Sequence, residues 1–318
     1  MLLYIQFPSW LTPEIIPGFP LRWYALMYLV AFGLTYVLVM VQVKRDSLPH
    51  TSDDIASLFI WAIIGLLLGA RLFGTIFYDP TGYYLRNPWM IFWPFMGGRF
   101  VGFQGMSYHG GLIGAIAGGW IYCRRHRISF LKMADLFVTA IPLGYTFGRI
   151  GNFINGELWG RVTTRPWGVV FPFATRFSTR YEWVRDIADQ VGIAYETGQL
   201  VNLPRHPSQL YEAFLEGILL FIVLWFVLKR RSRYPGFMLS WYLIGYGIAR
   251  VIAEYFREPD ADIGFVIALG RETEPQALFL SLLNISMGQL LSMLMILSGA
   301  VLLILFRKRA VMKGLISL

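Results

Sequence analysis

The sequence is short of charge, of cysteine and of the motifs by which many enzymes are recognised. Only 15% of its 318 residues are Asp, Glu, Lys or Arg, against roughly 25% in soluble globular domains. Hydrophobic residues make up 56% and aromatic ones 17%, so an ordinary water-soluble domain is excluded. A lone cysteine, Cys123, excludes an internal disulfide framework. The four histidines lie far apart and no H-E-x-x-H pair occurs, which leaves no metal-binding pattern. A Gly-rich nucleotide loop and a G-x-S-x-G elbow are also missing, so neither metal nor cofactor nor a covalent nucleophile is expected.

Acidic residues are few as well, 19 against 28 basic, for a net charge of +9. The basic residues do not spread over a polar face as nucleic acid would require. They cluster at Lys44 and Arg45, at Arg124, Arg125, Arg127 and Lys132, at Lys229, Arg230, Arg231 and Arg233, and at Arg307, Lys308, Arg309 and Lys313. These clusters punctuate long apolar runs. Crossing roughly 30 Å of hydrocarbon takes about 20 apolar residues, and seven stretches qualify: Leu21 to Val43, Ile55 to Tyr78, Ser107 to Cys123, Ala134 to Asn155, Ser208 to Leu228, Phe237 to Phe256 and Ile285 to Phe306. The fold class expected is an all-α integral membrane protein of about seven transmembrane helices. Because the clusters follow spans one, three, five and seven, the N-terminus is expected outside and the C-terminus in the cytoplasm. One membrane-embedded catalytic domain is expected over 1–318. Its external parts are an N-terminal segment, 1–20, that does not read as a cleavable signal peptide, a folded lobe at 156–207 between helices four and five, and a loop at 257–284. Gly65 and Gly69, like Gly110, Gly114 and Gly118, lie four apart and suit close helix packing.

A charge inside a span costs about 2.5 to 3.5 kcal/mol on insertion scales and asks for a reason. Counted at about 1.5 Å per residue from the cytoplasmic end of each helix, Tyr24, Arg71, His109, Arg149, Arg250 and Glu254 all reach the outer half of the membrane. Tyr246, Arg250 and Glu254 recur every fourth residue and share one helix face, where Arg250 and Glu254 can pair. Arg149, Asn152 and Asn155 gather at the outer end of the fourth span, beside Gly148 and Gly151. Two arginines from separate helices suit a phosphate, since a guanidinium offers its oxygens a fixed fork of donors. Asn and Tyr side chains can hydrogen-bond glycerol hydroxyls, and Glu157 can cap a turn or bind a hydroxyl. His109 is the natural general base. Arg71 on its own fits snorkelling to the interface equally well, and Ser208, in the run His206-Pro207-Ser208-Gln209, reads first as a helix N-cap.

The run Gly148-Arg149-Ile150-Gly151-Asn152-Phe153-Ile154-Asn155-Gly156-Glu157-Leu158-Trp159-Gly160 closely resembles the signature of bacterial prolipoprotein diacylglyceryl transferases. Trp23-Tyr24, His109-Gly110-Gly111, His206 to Glu212, the set Tyr246, Gly247, Arg250 and Glu254, and Ser286-Met287-Gly288-Gln289 extend the resemblance over almost the whole chain. The resemblance implies transfer of the diacylglyceryl group of phosphatidylglycerol to the lipobox cysteine thiol of a preprolipoprotein, at the outer leaflet of the bacterial cytoplasmic (inner) membrane. It also implies that His109, Arg149 and Arg250 are essential and that Tyr24, Asn152, Gly160, Tyr246 and Glu254 support them. Arg71, Asn155 and Glu157 complete the expected phosphatidylglycerol contacts, and the partners expected are lipid bilayer and signal peptide, with the enzyme a monomer. Two departures stand out: Gln104 replaces an expected glycine, and the segment from Asp260 to Leu283 is longer than usual. The rival readings are a transporter, which would show inverted repeats and midplane polar groups, and a different headgroup enzyme needing a metal or a nucleophile.

Overall fold

The computed structural model describes residues 3–16, 18, 22–96, 98–100, 105–259, 263–269 and 275–316. Leu21, Gln104 and Asp260 lie outside the described residues, so the expectations attached to them have no structural counterpart. The protein is mostly helical. Its long helices are α1 (Trp23–Arg45), α2 (Ser52–Phe77), α3 (Tyr108–Arg125), α4 (Phe130–Ile154), the shorter α5 (Glu182–Val191), α6 (Ser208–Arg231), α7 (Phe237–Glu254) and α8 (Met287–Met312). Five of them, α1, α2, α4, α6 and α8, are long and apolar enough to cross a membrane, as an all-α multi-pass membrane protein requires. The other two expected spans, α3 and α7, are helices of 18 residues each. Glycines and tyrosines, two terminal arginines in α3, and Arg250 and Glu254 in α7 dilute their apolar content.

The chain divides into two compact units, one of residues 1–35 and 135–318, the other of residues 36–134. The smaller unit is built on the α2–α3 pair. A Cβ on Gly65 or Gly69 would strike the carbonyl oxygen of Gly114 or Gly110, and one on Gly118 the carbonyl of Trp61. The backbones therefore touch, which only glycine permits. Thr51 starts α2 with a reciprocal capping box to Asp54, closing two otherwise orphaned amides.

The larger unit holds the segment 156–207, which folds around its own apolar centre of Val162, Val184, Ala188, Val201 and Leu203. Ala277 joins that centre, so this lobe and part of the 257–284 stretch form one body. Arg205 pins it, fully buried, with Nη1 on Glu258 at 2.5 Å and the carbonyl of Gly160 at 3.2 Å. Its guanidinium stands over the rings of Trp159 and Phe177. The N-terminal Ile5–Gln6 adds a parallel strand to Val169–Val170. In the same unit, α6 widens from α-helical to π turns over Ala213–Leu219 and Val223–Leu228, a distortion often found at functional positions.

Candidate active site

The C-terminal turns of α4 carry Arg149. Its Nε lies 2.8 Å from Glu212 Oε2 on α6 and also donates to the Tyr145 hydroxyl. Nη1 donates to Asn152 Oδ1 at 3.3 Å. Asn152 and Asn155 in turn donate to Glu157 Oε1 at 2.9 and 3.2 Å. The chain can fold back this sharply because Gly156 and Leu158 both adopt positive φ, 64° and 56°, a region glycine enters freely and leucine rarely.

Arg250 approaches the same carboxylate from α7. Its Nη1 is 3.0 Å from Glu212 Oε1 and 3.5 Å from Glu216 Oε1, and its Nη2 is 2.8 Å from Glu254 Oε2. Arg257 brings a third guanidinium to within 3.6 Å of Glu212. The Tyr145 hydroxyl donates to Glu216 Oε2 at 2.6 Å, and the Tyr246 ring stands edge-on to Tyr145 at 5.9 Å. On the far side, Glu254 accepts a hydrogen bond of 3.0 Å from Ser286, the N-cap of α8. A Cβ at position 288 would press on that carboxylate, which is why glycine stands there.

Exposure decides what this cluster can do. The side chains of Glu212 and Glu216 are 1% and 0% exposed, whereas those of Arg149 and Arg250 are 16% and 14%. The carboxylates are the more deeply buried partners, and the two arginine side chains keep some exposure. Buried ionic groups persist only when paired and hydrogen-bonded, and here each of three arginines is ion-paired with one or more of three glutamates. Such buried carboxylates hold the two guanidinium groups in fixed positions.

The structure thus gathers Arg149, Asn152, Asn155, Glu157, Tyr246, Arg250 and Glu254 into one network. Tyr24 packs its ring against Gly151 and places its hydroxyl 2.9 Å from that of Tyr28. Gly160 sits at a crossing of backbones: its amide donates to the His206 carbonyl at 2.9 Å, and a Cβ there would strike Phe256 and His206. Its glycine is a demand of packing. His109 and Arg71 belong to the smaller unit. His109 is exposed in the first turn of α3, which Ser107 caps through the amide of Gly110. Arg71 does not snorkel: it is 4% exposed, donates to the carbonyl of Ile91 and stands 5.1 Å from the Tyr84 ring. Ser208 is not an N-cap either. Pro207 occupies that position, and the Ser208 hydroxyl donates to the Leu158 carbonyl at 3.0 Å, tying the start of α6 to the α4 signature.

Glu212, Glu216, Tyr145 and Arg257 were not among the candidates read from the sequence. A signal for the two glutamates was present, because they lie four residues apart inside an apolar run, where a charge demands the same explanation as Arg250. His206, at the lobe edge, has its pKa pushed down to about 4 by burial and by the charges of Arg165 and Arg161. It is therefore neutral near pH 7. Among the described residues no group of three or more His, Cys, Asp or Glu side chains is placed to hold a metal ion.

The family model of prolipoprotein diacylglyceryl transferases matches residues 13–305. The chain belongs to that family. It is 50% identical to a protein of Treponema denticola over 98% of both chains and 50% identical to one of Treponema pallidum over 94% of both. A protein of Chlorobaculum tepidum is 41% identical over 95% of this chain and 92% of its own. All three relatives are named phosphatidylglycerol–prolipoprotein diacylglyceryl transferase. As a member of that transferase family, the chain carries its arginine cluster entirely within the matched span, and four of the cluster's six charged residues lie on α6 and α7.

Proposed function

We propose that the chain is the phosphatidylglycerol–prolipoprotein diacylglyceryl transferase of its cell and that Arg149 and Arg250 hold the lipid phosphate for the reaction. The observation that carries this reading is the pair of partly exposed arginine side chains, from α4 and α7, whose guanidinium groups are fixed on the buried Glu212 carboxylate. The lipobox thiol of a preprolipoprotein gives up its proton, and its sulfur attacks the glyceryl carbon that bears the phosphate ester oxygen. As the C–O bond breaks, glycerol phosphate leaves with the electron pair. The two forks offset the charge that develops on the departing phosphate oxygens. Glu254, held by Ser286, orients Arg250. Asn152, Asn155, Glu157, Tyr24 and Tyr246 place the headgroup, and His109 takes the thiol proton directly or through water. Gly160 lets the chain pass closely enough to close the site, and Arg71 braces the loop after α2.

The same reading places seven helices across the bacterial cytoplasmic (inner) membrane, with α3 and α7 as the two less apolar spans. The N-terminus and the lobe lie outside, the C-terminus lies in the cytoplasm, and a single catalytic domain opens toward the outer leaflet. It requires no cofactor, because the acceptor thiol comes with the substrate peptide. The test mixes purified protein with phosphatidylglycerol and a synthetic lipobox peptide and reads the peptide by mass. A diacylglyceryl adduct on the cysteine, lost in His109→Ala and Arg250→Ala, is the expected result. No adduct from folded wild type, or full activity in either variant, would overturn it.

A further inference from the structure

Tyr145 joins the two sides of the arginine cluster, and the directions of its hydrogen bonds are forced. A guanidinium can only donate and a carboxylate can only accept. The hydroxyl therefore takes the Arg149 Nε–H and gives its own proton to Glu216 Oε2 at 2.6 Å. Glu216 Oε1 in turn lies 3.5 Å from Arg250 Nη1. A continuous path from Arg149 through Tyr145 and Glu216 to Arg250 thus runs beside the one through Glu212.

The two paths differ in kind. Both carboxylate oxygens of Glu212 are closed to solvent and accept no hydrogen bond, so its links to Arg149 and Arg250 are contacts of charge. Attraction between charges falls smoothly with distance; it sets where a guanidinium sits and leaves the turn of its plane free. A hydrogen bond weakens steeply once its angle is lost. Arg149 Nε carries a single hydrogen, and that hydrogen points at the Tyr145 hydroxyl. Among the described residues Tyr145 is the one side chain that hydrogen-bonds either Glu212 or Glu216. Its ring centre also lies 4.8 Å from the Arg149 guanidinium carbon, and the ring meets that of Tyr246 edge-on. With Nε committed to Tyr145 and Nη1 to Asn152, the turn of the Arg149 guanidinium is determined.

We infer that Tyr145 is a positioning residue for the transfer, one that orients Arg149 for the lipid phosphate and ties it through Glu216 to Arg250. The inference rests on the transferase reading and deepens its account of the phosphate site. Glu212 holds the two arginines near each other by charge, and Tyr145 gives one of them its direction.

Tyr145→Phe keeps the ring and removes only the hydroxyl, and the full-length protein serves for every measurement. Affinity for a short-chain phosphatidylglycerol, read by calorimetry, should fall about tenfold, the worth of one hydrogen bond to a charged group. In the transfer assay kcat/KM for the lipid should fall at least as far, while KM for the lipobox peptide stays as in wild type. The deciding readout is a double-mutant cycle. Arg149→Lys has no Nε, so removing the Tyr145 hydroxyl in that background should cost no further lipid affinity, whereas a defect of packing alone costs the same in both backgrounds. If Tyr145→Phe fails to fold, Glu216 tests the link from its other end: Glu216→Gln keeps an acceptor for the hydroxyl and should bind the lipid more tightly than Glu216→Leu, which does not. Wild-type lipid affinity in Tyr145→Phe, an equal loss in both backgrounds, a raised KM for the peptide in place of one for the lipid, or equal binding by the two Glu216 variants would overturn the assignment. Lipid binding needs no transfer, so a wild type that binds phosphatidylglycerol yet yields no adduct counts against the transferase reading alone.

Discussion

At Glu212 one carboxylate faces Arg149, Arg250 and Arg257 at 2.8 to 3.6 Å, and what the arginines do depends on its charge. Glu212→Gln leaves buried guanidinium groups uncompensated, a change that costs roughly 3 to 5 kcal/mol when one partner of a buried pair is lost. The expected outcome is a lowered thermal midpoint together with lost transfer, read by thermal shift and by the mass of the lipobox peptide. Arg250→Lys keeps the charge but not the fork, and one missing oxyanion donor costs about 100-fold or more in turnover. Retained activity in that variant would remove the phosphate from Arg250. His206 adds a pH dependence whose sign is fixed by its depressed pKa. The unfolded chain binds a proton near pH 6.5 and the folded one only near 4, so this contribution to stability is complete above 6.5 and is lost as the pH falls toward 4. Thermal midpoints between pH 7 and 5 should therefore decline less in His206→Gln than in wild type. Most of the clustered residues could be read from spacing alone, because Arg149, Asn152 and Asn155 recur every third residue and Tyr246, Arg250 and Glu254 every fourth. Glu212 and Glu216 were passed over because their helix was scored for apolar length and its charges were not. Tyr145 was missed because a tyrosine in an apolar run shows its role only through the partner that α6 brings to it.

Among the elements, α2 and α3 show how much a glycine pattern can forecast. Residues four apart predict one small-residue face, and the helices meet there so closely that a Cβ at Gly114 would run into the carbonyl of Gly65. Gly114→Leu should separate the pair and destabilise the protein by about 1 to 3 kcal/mol or more, the range for overpacking. Gly33→Ala, whose Cβ meets nothing within 4 Å, serves as the control and should leave the thermal midpoint almost unchanged. The helix ends were less legible. Ser208 looks like a cap in one dimension, but the carbonyl of Leu158, fifty residues away in sequence, claims its hydroxyl. The lobe shows the same limit: a folded lobe was expected at 156–207, yet nothing local announced that Ala277 would complete its core.

For the whole molecule, the scarcity of charge and the apolar runs were enough to indicate a multi-pass helical protein, and the thirteen-residue signature was enough to indicate its family. The division of the chain at residues 35 and 134, within α1 and α4, left no trace in hydropathy, since both helices run through it without a break in composition. The paired charges of the arginine cluster bear on turnover as well as on binding. Phosphatidylglycerol brings a phosphodiester with one negative charge, whereas the glycerol phosphate left behind is a monoester carrying up to two near neutral pH. Where every guanidinium of the cluster is already paired with a carboxylate, the second charge meets no spare cation, while water outside solvates it strongly. Glu216→Gln, which removes one negative charge from the cluster, should make added glycerol phosphate inhibit transfer about tenfold more tightly, a change of about 1.4 kcal/mol. Pairing every guanidinium in this way would therefore favour release of the doubly charged headgroup over retention of the lipid, clearing the site for the next turnover.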